Sequence, residues 1–114
     1  MAQITMNIQT LDWTMGETVG LHLMVKKDCK VRIAWGDGKV QVVTGKQEPA
    51  SEKLAWVEAG HAYPEKGVNY TITIYSEEED AIIGFNGCGM FEVKTLDVIL
   101  TECPNLRILG YSGY

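Results

Sequence analysis

No apolar run in this 114-residue chain approaches the roughly 20 residues of a membrane-spanning helix, so no transmembrane helix is expected. Cations are the scarcer sign, 10 Lys and Arg against 15 Asp and Glu, for a formal net charge of −5. That balance argues against nucleic acid or an anionic membrane surface as the main partner. Cysteine is sparse: Cys29, Cys88 and Cys103 are odd in number and form no C-x-x-C. They cannot all pair within one chain, and neither His22 nor His61 stands at metal-ligand spacing from them, so no zinc site or other metal centre is expected. They read as three small, half-buried thiols whose redox state and compartment the sequence leaves open. The opening residues carry no basic stretch followed by an apolar segment and so do not form a secretory signal; the mature part of an exported protein would look the same. No cofactor-binding or catalytic motif is present, and the chain reads as a non-enzyme without a cofactor.

What is there is ordinary for a globular chain. Hydrophobic residues make up 46% and charged residues 22%, which excludes disorder and collagen-like composition. The length fits one domain, or one domain plus a fragment. Val, Ile and Thr number 10, 9 and 9, and their branched Cβ favours strands. Ile4, Met6 and Ile8 alternate with polar neighbours, as do Val19, Leu21, Leu23 and Val25. Val31, Ile33 and Trp35 repeat the pattern, and so do Tyr70, Ile72 and Ile74. Each stripe predicts a strand with one buried face. Val40–Thr44 and Leu54–Ala59 are weaker strand candidates.

Turn signals separate these runs: Thr14–Gly16, Lys26–Lys30, Lys46–Lys53 with its Pro49, and Pro64–Gly67. The strongest is Trp35–Lys39 (WGDGK), whose Gly and Asp tolerate the positive φ of a tight hairpin. Short strands with such punctuation predict an antiparallel β-sandwich. After Tyr75 the character changes. The acidic run Ser76–Asp80 is followed by Ile82–Cys88 (IIGFNGC), and a similar phrase, Ile108–Gly113 (ILGYSG), returns 26 residues later. That period lies in the roughly 20–29-residue window of leucine-rich repeats. Leu106, Leu109, Tyr111 and Tyr114 hold the repeat positions in the last copy, and Ile83, Phe85 and Cys88 hold matching ones in the first, although Asp80 replaces a leucine. Between the copies Leu96, Val98 and Leu100 alternate, and Glu102–Asn105 reads as a turn.

Val31–Gly38 (VRIAWGDG), then His61–Tyr63 (HAY), then Tyr70–Ile74 (YTITI) resembles the PKD family, which is an immunoglobulin-like β-sandwich with a W/F-G-D-G hairpin, a later H-x-Y and a Y-T-V-T strand. Gly36, Asp37 and Gly38 match the hairpin, His61 and Tyr63 the H-x-Y, and Tyr70, Thr71 and Thr73 the strand. The Gly45–Trp56 loop is longer than in many members. Thr95–Val98 (TLDV) and Cys103–Leu106 (CPNL) are similar to phrases of bacterial leucine-rich repeats. The resemblance divides the chain into a PKD-like sandwich over 1–78 and a leucine-rich-repeat-like segment over 79–114, of about one and a half repeats. A free-standing solenoid needs about three, so the chain is expected to be a fragment of a longer protein, the alternative being a repeat piece that caps the sandwich. The combination resembles surface or secreted proteins of gut-commensal bacteria. It implies an extracellular or cell-surface module that presents a rigid surface to a protein or glycan partner.

Individual residues carry rival readings. Asp37 could ligate a metal or act as an acid; bonding to amides of its own turn is the simpler expectation. His61 could be a base, but no nucleophile-elbow Ser or Cys accompanies it, and a structural ring packed near the hairpin is expected. Tyr63 resembles the corner tyrosine of sandwiches, whose hydroxyl ties back to backbone. Trp35 is in phase with Val31 and Ile33 and is expected in the core. Glu77–Asp80 lacks calcium-loop spacing and reads as a solvated turn. Trp13, Trp56, Tyr111 and Tyr114 are the candidate ligand-contact aromatics, for sugar or protein. If they do contact sugar, a carbohydrate-binding accessory module of a secreted glycan-degrading enzyme becomes the second reading. Asn69–Thr71 matches a glycosylation sequon and is taken as chance.

Overall fold

The period-two stripes become strands in a computed structural model that describes residues 2–10, 18–48, 52–87, 93–101 and 108–111. In chain order these are β1 (Ala2–Thr10), β2 (Thr18–Val25), β3 (Lys30–Ala34), β4 (Val40–Thr44) and β5 (Val57–Ala62). Then come β6 (Asn69–Ser76), β7 (Ile82–Gly87), β8 (Val93–Thr101) and β9 (Ile108–Tyr111). The strand expected at Leu54–Ala59 lies further along, at Val57–Ala62. The cause is local. The side chain of Gln47 donates to the Lys53 carbonyl and accepts from the Ala55 amide, which holds that stretch as loop and leaves Leu54 exposed.

The strands form two sheets, ordered β4-β3-β6-β1-β8 and β5-β2-β7-β9. Neighbouring described strands run antiparallel except β7 and β9, which pair in parallel with Gly84 opposite Ile108 and Gly87 opposite Tyr111. Residues beyond 79 thus supply strands to both sheets, β7 beside β2 and β8 beside β1.

The sheets face each other across one core. Ile4, Met6, Ile8, Ile33, Ile72 and Ile74 come from the first sheet; Leu21, Leu23, Val25, Val57 and Phe85 come from the second. Each large apolar side chain so buried contributes roughly 1.5–3 kcal/mol. Two bulges set the phase of the later strands. Met24 pairs with Gly84 but Val25 with Ile82, so Ile83 is the extra residue, and Ile82 and Phe85, three apart, are both fully buried. In β8 the shift leaves Leu96 as the extra residue between Thr95, opposite Ile8, and Asp97, opposite Asn7.

Candidate functional site

The residues singled out by the hairpin motif meet at one end of the sandwich. Val31 and Ile33 point into the core, and the same alternation carries Trp35 there, 1% exposed. The reversal to β4 needs two left-handed glycines, Gly36 and Gly38, each at φ 93°. Gly36 has a second constraint, since a Cβ there would stand 2.5 Å from the Thr71 carbonyl oxygen on β6. Between them, Asp37 accepts the Lys39 amide on Oδ1 at 3.2 Å, the bond expected within its own turn. Its other oxygen accepts from His61 Nε2 at 2.7 Å. Both side chains are largely covered, 16% exposed for His61 and 11% for Asp37. Burial pushes the Asp37 carboxyl up, but the bonds from His61 and from backbone amides outweigh it, and the group sits below its ordinary value.

His61 also stacks on the Trp35 ring, centroids 5.2 Å apart, and meets Tyr63 edge-on at 4.9 Å. Tyr63 donates its hydroxyl to the Trp35 carbonyl at 2.6 Å and stacks on Tyr70 at 4.4 Å. Burial drives its phenol far above its ordinary range, so it stays a neutral donor. Trp35 and Asp37 follow a strand of the first sheet, whereas His61 and Tyr63 belong to β5 and its exit in the second. The cluster is therefore a clasp between sheets. Tyr63 differs here from a corner tyrosine, whose bond returns to nearby backbone: its partner lies 28 residues upstream.

Of the four candidate aromatics, Trp56 is the one whose side chain lies among the described residues. Trp13 and Tyr114 lie outside the described residues, and Tyr111 is placed as backbone at the end of β9. Trp56, half-buried, lines an open groove of about 530 Å³ with Val43, Thr44, Lys46, Val57 and Glu58. The groove runs between β4 and β5, the edge strands of the two sheets.

Cys29 is buried and unpaired; Cys88 and Cys103 lie outside the described residues. Its thiol donates to Glu78 Oε2 at 2.7 Å, and burial with that neighbouring carboxylate pushes its pKa up to about 11. It is thus a protonated structural donor. Glu78 and Asp80 stand in the solvated turn expected of them, and that turn is tied to the one between β2 and β3 by Cys29 and by Lys26, whose Nζ lies 2.8 Å from Asp80 Oδ2.

Sequence reasoning missed a polar cavity at the start of β3. It is about 270 Å³ in volume and is lined by Lys30, Arg32, Tyr75 and Glu77 among others. These residues share no motif; only the antiparallel register that sets Arg32 opposite Tyr75 gathers them. Among the described residues, no group of three or more His, Cys, Asp or Glu side chains is placed to hold a metal ion, and no helix is long and apolar enough to cross a membrane. Compared with protein-family models, curated proteins and solved structures, the chain finds no match.

Proposed function

We propose that this chain is a non-catalytic recognition module, cell-surface or secreted, that presents a rigid surface to a protein or glycan. The observation that carries the reading is Trp56 in the groove between the two sheet edges. A half-buried indole gives a large apolar face at low entropic cost, the property that makes Trp a frequent binding anchor. The clasp stiffens the adjoining hairpin, so such a surface is pre-organised.

The family assignment stays part of this proposal. Support for a PKD-like sandwich comes from the adjacency of β3, β4 and β6, which places the hairpin motif beside the YTITI strand as strands C and F adjoin in immunoglobulin-type sheets. Support for a leucine-rich-repeat-like segment comes from the parallel β7–β9 pair, since stacked repeats lay their strands in parallel. The observed register offsets the strands by 24 residues, two fewer than the sequence repeat.

A second reading, an accessory module of a glycan-degrading enzyme, is favoured by Lys46 and Glu58 flanking the indole, because a sugar needs polar partners around an apolar face. The test is to probe the whole chain and its Trp56→Ala variant on arrays of polysaccharides and of extracellular proteins. The recognition reading expects at least one ligand whose binding drops about tenfold or more in the variant. Hits confined to polysaccharides select the accessory-module reading. Wild-type binding to nothing on either array contradicts both.

A further inference from the structure

We infer that the polar cavity on the outer face of the first sheet is a saccharide site that takes an uncharged pyranose. It shares no lining residue with the Trp56 groove and does not depend on it.

The floor and rim of the cavity are built and fixed. The Lys26–Cys29 turn, with Asp28 at φ 68°, is bonded through its amides to Gly45, Gln47 and Ala81. On the opposite wall Ser76 donates its hydroxyl to the Lys30 carbonyl at 2.9 Å and accepts the Glu78 amide. The Cys29 thiol pins the Glu78 carboxylate. The space they line, about 270 Å³ and open to solvent on one side, is of the order of one sugar ring with its hydration.

The groups facing that space have the chemistry a pyranose requires. A pyranose presents an apolar C–H face and a rim of hydroxyls that each donate and accept. Tyr75 supplies a half-buried ring, and directly opposite it on β3 stands Arg32. Lys30, two residues earlier, lies on the same face of the strand. Among the described residues neither cation has an ion-pair partner, so both sets of donors are available. Asp28 and Glu77 supply exposed acceptors across the cavity. The electrostatics then select the class of ligand. Two cations face three carboxylates, Glu78 included, so no cationic excess remains to favour a phosphate, a sulfate or a uronate. Donors and acceptors in near balance around one aromatic ring suit a neutral polyol.

Amide NMR spectra of the whole chain, titrated with methyl glucoside, methyl galactoside, methyl mannoside and N-acetylglucosamine, and separately with glucuronate, test the inference. It expects millimolar binding of at least one neutral sugar, the range for a dozen-atom ligand on an open site. Shifts should be confined to the amides of Asp28–Arg32 and Tyr75–Glu78. Tyr75→Ala and Arg32→Ala should each weaken binding about tenfold, and Trp56→Ala should leave it unchanged. Both replaced side chains face away from the core, and Arg32→Lys, which keeps the charge but loses the planar fork, should weaken binding in an unaltered fold. Shifts near Thr44, Trp56 and Glu58 alone would overturn this site while leaving the groove reading standing. No shift with any neutral sugar, or shifts with glucuronate only, would overturn it too.

Discussion

The phenol of Tyr63 shows how one buried polar group can join two sheets. Its hydroxyl is covered and donates to a carbonyl on the opposite sheet, so removing it strands an acceptor as well as deleting a bond. Tyr63→Phe should lower the unfolding free energy by about 1–3 kcal/mol, measured by urea denaturation; an unchanged midpoint would mean the bond carries no weight. Asp37 adds a pH signature. Its carboxyl is held below its ordinary value in the folded state. A group of that kind stabilises fully above its unfolded pKa of about 4, and the stabilisation is lost as pH falls through the lower, folded value. Urea midpoints of wild type and Asp37→Ala should therefore differ most near neutrality and converge below about pH 4.

The β3–β4 hairpin shows what two similar glycines do differently. Both Gly36 and Gly38 lie at φ 93°, but only Gly36 is backed against backbone, at Thr71; around Gly38 the space is open. Gly38→Ala should cost about 1 kcal/mol for the strained φ, and Gly36→Ala clearly more, with the order read from thermal melts. Equal losses would mean that the approach to β6 is unimportant. The hairpin was legible because its φ requirements are local and only Gly and Asp meet them readily. The strands were legible for the same reason, since Ile4, Met6 and Ile8 carry a period of two, which a helix does not have. Long-range determinants were not. The start of β5 was misplaced because Gln47, an unremarkable polar residue in sequence, captures Lys53 and Ala55 from a distance. The bulges at Ile83 and Leu96 leave no compositional mark, and Arg32 and Tyr75 are gathered only by strand pairing. His61 and Asp37 were both marked in sequence, but their direct bond across the sheets depends on how the two sheets pack.

For the whole molecule the consequence is shared cohesion. Phe85 on β7 is fully buried in the same core as Ile33 and Leu23, although it lies beyond the point where the sequence changes character. Phe85→Ala should destabilise the entire chain by about 3–5 kcal/mol in one cooperative transition followed by both circular dichroism and tryptophan fluorescence. Two separable transitions, with only one displaced, would show that residues after 79 fold apart from the sandwich. Rigidity also bears on recognition: the Trp56 groove runs between edge strands of opposite sheets, so its shape depends on how firmly the sheets are held together. That firmness rests on the shared core and on the clasp, and a double-mutant cycle of Asp37→Ala and His61→Ala in urea measures the part that this polar pair supplies. If the clasp holds the sheets as described, the two losses couple by about 1–3 kcal/mol; if they add to within about 0.5 kcal/mol, Asp37 and His61 are neighbours that do not join the sheets.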